Sequence, residues 1–329
     1  MGLLWGLLSG RGGLSFGRPN DLVLYCAHDL PFVEGLVAEY EAQTGVGVAI
    51  VADTEATKSL GLVRRIVAEA VAPQADVFWN NELLGTVELE DRGLLAPLTV
   101  AGAERFADSL RSPHWVAFGG RARVWILSEG AGRGEPFPAS IEDRQLPSGP
   151  DFCVADPLFG TTLTHAALLW DRVGDDRFRR WLESLPASGT RVVPGNSATR
   201  DLVADGVCTA GWTDTDDAFG ALDRGADVRI EPVRVDGRAV VIPNTVSIIR
   251  GGPHPQAAAR FVDWLLSEAV ERRLAAGPAR QIPLGRLTEN GRPPLPAEVE
   301  ALTPLADEAV DLRGLLPARR AVVEYLSTR

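Results

Sequence analysis

Residues 22–51 read LVLYCAHDLPFVEGLVAEYEAQTGVGVAIV, and this segment decides the fold class because it holds one strand–helix–strand unit. The apolar run at 21–27 predicts a buried strand, and the run VGVAIVA at 46–52 predicts a second one. Between them, apolar side chains recur at helical spacing, with Pro31 suited to the first turn and Gly45 suited to the stop. Two strands joined by a helix at this spacing indicate a parallel sheet.

The same alternation continues along the chain, so the sequence predicts an α/β fold. Further strands are expected at the apolar runs 75–80, 121–128, 151–157, 207–212 and 240–250, with helices between most of them. One long amphipathic helix is expected at 259–277. A chain of 329 residues is too long for one ordinary core and suits two lobes.

Composition argues against several classes of function. The formal net charge is −11, and such a surface repels nucleic acid and anionic membranes. The three cysteines lack the spacing of a zinc site or a disulfide framework, and their apolar contexts indicate small buried side chains. Neither of the common glycine-rich phosphate loops is present, so the sequence gives no support to nucleotide binding.

Residues 1–20 are expected to be a leader or a disordered segment. Their apolar stretch GLLWGLL is short and no basic residue precedes it, unlike an ordinary secretory signal. The stretch is also too short to span a bilayer.

Five segments, taken in order, carry a resemblance to a known family. They are the opening segment at 22–51, QADVFWNNELLGTVELEDRGLLAPL, DPLFGTTLTHAAL, PGNSATRDLVADG and NTVSIIRGGPHPQAAARFVDWLLSEAVERRLA. Each is weakly specific alone. Their order and spacing over residues 21–285 resemble the extracellular solute-binding proteins of ABC importers, and more narrowly the ferric-iron-binding group.

The resemblance implies a type II periplasmic-binding-protein fold, in which two α/β lobes enclose a ligand cleft and close on the ligand by hinge motion. Lobe 1 would comprise residues 21–115 and 238–290, lobe 2 would comprise residues 116–237, and the helices of 291–329 would pack on lobe 2. Such a protein is implied to be a monomer without catalytic activity. It would bind its ligand in the periplasm or outside the cell and deliver it to an ABC permease in the membrane.

The sequence departs from the iron-binding pattern at one place. Relatives commonly carry two adjacent tyrosines after the strand that GVCTAGW resembles, and the two phenolates bind Fe(III). Here residues 213–217 read TDTDD, and the three tyrosines of the chain are Tyr25, Tyr40 and Tyr325. Because no tyrosine pair exists, coordination of iron by tyrosinate is not expected.

Ligands of two-lobed α/β proteins lie where loops at strand ends converge, and four such loops carry polar side chains. A further helix start on the same side adds two more candidates. The candidate ligand-binding residues are His28, Asp29, Thr54, Glu55, Thr57, Lys58, Asn80, Asn81, Glu82, Gly160, Thr161, Thr162, Asn196, Ser197 and Asp214. Several of these residues also suit capping or packing roles, which are the alternative interpretation at each position.

Two of these loops open helices and predict an anion contact. Free backbone N–H groups at a helix start attract anions, and hydroxyl side chains add donors. Thr54 and Thr57 lie beside Lys58, the only lysine of the chain, and Thr161 and Thr162 follow Gly160 in the other loop. A carboxylate, a phosphonate or a carbonate-like anion would suit such donors.

The three aspartates of TDTDD are expected to have different roles. Asp216 and Asp217 would lie in the first turn of a helix, where negative charge is stabilising, and Thr213 stands at capping-box spacing from Asp216. Asp214 precedes the helix and is the candidate ligand for a hard cation or an ammonium group. His28 is the second candidate metal ligand.

The leading hypothesis is therefore a binding protein for Fe(III) as the transported ligand, with a synergistic anion. The first alternative is a binding protein for a small organic anion such as a phosphonate or a carboxylate. The second alternative is a soluble hydrolase with Asp156, His165 and Ser197 as a triad. No G-x-S-x-G elbow supports it, and Ser197 has a sufficient role at a helix start.

Overall fold

A computed structural model describes residues 22–53, 60–129, 146–158, 160–288 and 293–328. The strands are β1 Leu22–Cys26, β2 Val48–Ala52, β3 Val77–Asn80, β4 Trp115–Ser128, β5 Phe152–Ala155, β6 Arg191–Val193, β7 Ala210–Asp214, β8 Val228–Pro232, β9 Arg234–Val235, β10 Arg238–Ala239 and β11 Val241–Ile248. The helices are α1 Leu30–Thr44, α2 Leu60–Ala68, α3 Leu84–Asp91, α4 Gly160–Val173, α5 Asp175–Ser188, α6 Asn196–Ala204, α7 Thr215–Asp223, α8 Pro255–Leu265, α9 Glu268–Ala276, α10 Ala297–Glu300, α11 Thr303–Asp307 and α12 Leu316–Ser327.

The opening unit forms as predicted. β1 pairs in parallel with β2 on one side and with β3 on the other. Helix α1 crosses between β1 and β2 and ends at Gly45, whose φ of 69° lies in the left-handed region that glycine adopts without steric cost. The N–H of Gly45 donates to the carbonyl of Glu41 at 2.8 Å, which satisfies one of the last free carbonyls of the helix.

One long strand connects the two predicted lobes. The main sheet runs in the order β2-β1-β3-β11-β4-β7-β5-β6, with β8 also paired to β4. The first half of β4 pairs antiparallel with β11, and its second half pairs with β7 and β8. The strand begins at Trp115, earlier than the predicted strand at 121–128. The crossing strand is compatible with the predicted assignment of chain segments to lobes, which stays a prediction.

The crossing point is an irregular stretch of the sheet that only glycine can fill. The register of β11 against β4 shifts between Pro243 and Asn244. Opposite this bulge, Gly119 has a φ of 47°, and a Cβ on it would lie 2.5 Å from Oε1 of Gln281. The side-chain amide of Asn244 donates to the Gly119 carbonyl at 2.6 Å and to Oε1 of Gln281 at 2.8 Å. These bonds fix the bulge at the point where the chain passes between the lobes.

Three hydrophobic clusters hold the layers together. One lies around α1 and α8, and one lies around α6 and α7. The third includes side chains of α3, α4 and α12. Helix α12 packs on α4 and also contacts α3. That the C-terminal helices of 291–329 pack on lobe 2 stays a prediction.

The single helix predicted at 259–277 is wrong, because the structure divides it into α8 and α9. The break falls at Ser267, which has an extended backbone and accepts a hydrogen bond on Oγ from the N–H of Val270 at 3.4 Å. A serine that caps a new helix interrupts the backbone ladder without disturbing the apolar periodicity, so the pattern alone conceals the break. The prediction of buried cysteines is confirmed, since the side chains of all three are buried. Across the described residues, no helix has the length and apolar character to cross a bilayer.

Candidate functional site

A cavity of about 400 Å³ lies beside the ends of β1 and β3, and its lining includes the starts of several helices. Four helices, α1, α4, α6 and α7, begin at its wall, so their unpaired N–H groups surround the same space. The cavity brings together these predicted ligand residues: His28, Asp29, Asn81, Gly160, Thr161, Thr162, Asn196, Ser197 and Asp214. The predicted residues Thr54, Glu55, Thr57 and Lys58 lie outside the described residues.

Asn80 and Glu82, which are predicted to contact the ligand, do not line this cavity. Glu82 is 1% exposed and accepts hydrogen bonds from the N–H groups of Leu84 and Gly85, each at 2.6 Å. It also accepts from Thr164 Oγ1 at 2.8 Å, which links the start of α3 to α4. Asn80 is fully buried and donates to Glu82 at 3.2 Å. The burial of Glu82 is compensated by these donors, so its role is to cap α3 and hold α4.

Both carboxylate oxygens of Asp214 accept hydrogen bonds from protein groups. Its Oδ1 accepts from Arg123 Nη1 at 2.8 Å, and its Oδ2 accepts from Thr161 Oγ1 at 2.5 Å and from Asn196 Nδ2 at 2.9 Å. The residue is 3% exposed and Arg123 is fully buried. Asp214, the predicted ligand residue, therefore has a structural role that the sequence did not indicate, because it neutralises a buried guanidinium and ties β7 to α4 and α6.

Asp216 and Asp217 lie in the first turn of α7, as predicted, and they also line the cavity. One carboxylate oxygen from each of these two and from Asp214 lies within 4.8 Å of the others. Their nearest cations are loosely placed, with Arg121 Nε 3.7 Å from Asp216 and Arg200 Nη1 3.4 Å from Asp217. These two carboxylates therefore have the greater capacity to take a ligand.

The predicted capping box of Thr213 and Asp216 does not form. Asp214 stands at the N-cap of α7, one residue later than the box requires. Thr213 instead donates to the carbonyl of Asn196 at 3.2 Å. The side chain of Asp216 is thereby left without the reciprocal backbone contact of a capping box.

The electrostatics of the two carboxylates reflect crowding. Burial raises the pKa of Asp216 to about 6, against the lowering effect of Arg121 and with a further increase from the charge of Asp214. Burial raises the pKa of Asp217 as well, and the neighbouring charges of Asp216 and Asp214 add to the increase. A bound cation would relieve both the desolvation and the mutual repulsion.

The ligand-free protein is therefore expected to lose stability as pH rises from about 4 to about 7. An acid whose pKa is raised by folding binds its proton more tightly in the native state, so its stabilising contribution is present at low pH and is lost through the folded pKa. For Asp216 alone the expected loss is about 2 kcal/mol, measured by urea unfolding at stepped pH. The Asp216→Asn variant should show a flatter profile. A parental stability that rises over this window would contradict the assignment.

His28, which is predicted to bind a metal, lines the cavity with both ring nitrogens against protein groups. Its Nδ1 lies 2.7 Å from the N–H of Asp29, and its Nε2 lies against the side-chain amide of Gln281. The ring also packs edge-on against Phe32 and Trp79 at centroid distances of 5.7 and 5.8 Å. Since both ring nitrogens have protein partners, neither offers a lone pair to a metal in this arrangement.

Two arginines of the cavity wall were missed by the sequence reasoning. Arg121 lies at the crossing point and donates to the carbonyl of Asn81 at 2.5 Å, and Arg200 lies on α6. The sequence held a signal for each. Arg121 and Arg123 alternate within an otherwise apolar strand, which is unusual for a buried element. Arg200 stands four residues after Asn196 and therefore on the same helix face.

Of the hydrolase triad, Asp156 and Ser197 line the cavity, whereas His165 does not. His165 is buried against Trp212 at a distance of 4.7 Å between ring centroids. Its Nε2 has no hydrogen-bond partner among the described residues, so this atom does not act as a base on Ser197 in this arrangement. Burial lowers the pKa of His165 well below its usual value. Tyr25, Tyr40 and Tyr325 all lie in the described part of the chain, and none of them lines the cavity.

Comparison with known proteins places this geometry in a family. The family model described as bacterial extracellular solute-binding protein matches residues 22–276. The Fe(3+)-binding periplasmic protein of Serratia marcescens is 21% identical over 291 residues, covering 85% of each chain.

Two solved structures share the fold. The apo ferric ion-binding protein A of Pasteurella haemolytica has a TM-score of 0.79 at 18% identity, covering 94% of this chain and 97% of that chain. The periplasmic binding protein AfuA of Actinobacillus pleuropneumoniae, with fructose-6-phosphate bound, has a TM-score of 0.75 at 17% identity, covering 94% and 98%. The α/β two-lobed fold expected from the resemblance is thereby confirmed. The chain belongs to the family of bacterial extracellular solute-binding proteins.

Proposed function

We propose that this protein is the monomeric, non-catalytic binding component of an ABC importer, which captures ferric iron together with an anion in its cleft. It would act in the periplasm or outside the cell and deliver the ligand to a membrane permease. The similarity to the Fe(3+)-binding protein of Serratia marcescens supports iron. The observation that carries the proposal is the presence, in one cavity, of two weakly paired carboxylates and two guanidinium groups.

The cation would be held by carboxylate oxygens. Asp216 and Asp217 have partially raised pKa values and lie beside Asp214 within ligating distance of a shared ion. Carboxylate oxygens suit hard cations, and Fe(III) is such a cation. Asp214 would contribute by fixing the start of α7 while its own charge is balanced by Arg123.

The anion would be held by the arginines and by the helix starts. Arg121 and Arg200 flank the two carboxylates, and hydroxyl and amide groups of Thr162 and Asn196 reach the same cavity. Guanidinium groups bind carboxylate-type anions in a bidentate manner. An anion beside the metal would separate each arginine from its aspartate and complete the coordination of the ion.

A second candidate is a small organic solute that carries an ammonium group and an acidic group. The cavity of about 400 Å³ is far larger than a bare ion needs and lies within the roughly 300–1,000 Å³ range of small-molecule sites. The neighbour AfuA, whose structure holds fructose-6-phosphate, supports an organic ligand for this fold. Asp216 and Asp217 would then pair with the ammonium group, and Arg121 with the acid.

Metal analysis decides between the two candidates. Protein purified without chelator and loaded with ferric nitrilotriacetate is expected to retain about one iron per chain after desalting. It should lack the intense visible charge-transfer band of tyrosinate ligands, because no tyrosine lines the cavity. The Tyr25→Phe variant is a control that should retain iron equally well.

Protein that retains no iron in this experiment would contradict the iron proposal and favour the organic solute. Intense colour in the loaded protein would contradict carboxylate coordination. Native mass spectrometry of the unloaded protein then shows whether an organic molecule is carried through purification, which keeps the two candidates distinguishable.

A further inference from the structure

A second cavity, of about 340 Å³, lies away from the cleft between lobe 1 and the C-terminal helix. Its walls come from α2, α3 and α12. Leu60, Val63, Val67 and Val323 give it an apolar side. The remaining lining residues are charged: Arg64, Glu88, Arg92, Arg319, Arg320 and Glu324.

The charge in this second cavity is already balanced in part. Glu88 is 4% exposed and accepts from Arg92 Nε at 2.6 Å and from Arg320 Nε at 2.8 Å. Arg320 also bonds to Asp91. Burial acts to raise the pKa of Glu88, but the contacts with Arg320 and Arg92 lower it overall. Glu88 is therefore ionised, and its charge is balanced by these two arginines.

Two further guanidinium groups remain with unused donors. Arg319 is only 4% exposed, yet its Nε and Nη2 have no hydrogen-bond partner among the described residues, and its Nη1 is 3.8 Å from Glu88. Arg64 is exposed at the rim and forms no ion pair or hydrogen bond with any residue that the structure describes. Nε and Nη2 are closed off from the cavity by surrounding atoms, whereas Nη1 is not closed off and is the donor of Arg319 that a ligand can reach. Buried guanidinium groups without an acceptor are rare in native proteins.

We propose that this second cavity binds a small organic carboxylate with an apolar body. The carboxylate would accept from Arg64 and Arg319 in charge-assisted hydrogen bonds, and the body would pack on Val63, Val67 and Val323. A net excess of guanidinium groups in a chain of net charge −11 makes the cavity a local attractor for anions. Glu324 lies at the exposed rim, where its like charge opposes a bound carboxylate but is screened by solvent.

The position of the cavity gives the site a structural consequence. Helices α2 and α3 belong to lobe 1, whereas α12 packs on α4 of lobe 2 as well as on α3. A ligand held between α2 and α12 therefore binds elements that both lobes contact. Its occupation is expected to raise the thermal stability of the whole chain by mass action.

Titration of the full-length protein with benzoate tests the proposal, with benzamide as the uncharged control of the same shape. Calorimetry and ligand-observed NMR should show benzoate binding, and benzamide should bind at least about tenfold more weakly, since it offers no charge to the guanidinium groups. The Arg64→Ala variant should lose about tenfold in benzoate affinity while it retains the iron loading of the parent. Arg319→Met should abolish benzoate binding.

Three results would overturn the proposal. The first is the absence of benzoate binding to the parent protein. The second is equal binding of benzoate and benzamide. The third is benzoate binding that survives Arg64→Ala but is lost in Arg200→Ala, which would place the probe in the cleft. Arg64 is exposed, so the Arg64→Ala variant is expected to fold. It therefore tests the proposal even if the variant of the buried Arg319 does not fold.

Discussion

Replacing Asp214 with Asn is expected to destabilise the protein by about 3 kcal/mol, because the change breaks a buried ion pair from one side. Both carboxylate oxygens accept hydrogen bonds, Oδ1 from Arg123 and Oδ2 from Thr161 and Asn196. An asparagine has only one acceptor oxygen, so its NH₂ group would face a donor in either orientation. Arg123 already has two buried nitrogens without a partner among the described residues, and it would lose its counter-charge.

Urea unfolding at neutral pH measures this loss. The matched control is Asp171→Asn, which alters a carboxylate that is 41% exposed in its pair with Arg172. Exposed ion pairs contribute little, so the control should change stability by less than about 1 kcal/mol. An Asp214→Asn protein as stable as the parent would show that the pair with Arg123 is not a structural requirement.

The double variant Asp216→Asn/Asp217→Asn is expected to weaken Fe(III) binding by on the order of 100-fold, or about 2.7 kcal/mol. At the same time the ligand-free protein should become more stable, since the change removes two crowded charges whose pKa values are raised by burial. Opposite effects on stability and on affinity are typical of residues kept for binding. Competition against a chelator of known affinity measures the first effect and urea unfolding measures the second.

The control for this double variant is Asp223→Asn. Asp223 lines the same cavity, but it forms a bidentate pair with Arg280 at 2.8 and 2.9 Å and is 49% exposed. Its charge is therefore already balanced, and its replacement should leave iron affinity close to that of the parent. Unchanged iron binding in the double variant would exclude Asp216 and Asp217 from the coordination of the metal.

The roles of the aspartates at the start of α7 could be predicted from the sequence only in part. Helical position predicted that Asp216 and Asp217 occupy the first turn, and they do. Position in the sequence could not predict that the carboxylate of Asp214 accepts hydrogen bonds from Arg123, 91 residues away, and from Thr161, 53 residues away. Those partners are brought by β4 and α4, which are adjacent to β7 only after the sheet has formed.

The same limit applies to Glu82 and His28. Each follows a predicted strand of lobe 1, so each was expected at the cleft. The carboxylate of Glu82 turns back to its own helix start and to Thr164, and the ring of His28 is held by Gln281 from a segment 253 residues away. A strand end fixes where a residue's backbone lies, whereas the direction of its side chain depends on the donors around it.

The sequence by itself determined the fold class, most of the alternation of strands and helices, and that the loops at His28, Asn81 and Gly160 and the helix start at Asn196 reach one cavity. These follow from the period of apolar residues and from helix-start and helix-stop residues, which are local along the chain. Only the tertiary structure decided which carboxylates are already bound by protein donors, where α8 ends, and that Arg121 lines the cleft. The reason is physical: the charge state and direction of a buried polar side chain are set by partners distant in sequence, because a buried charge is stable only beside them.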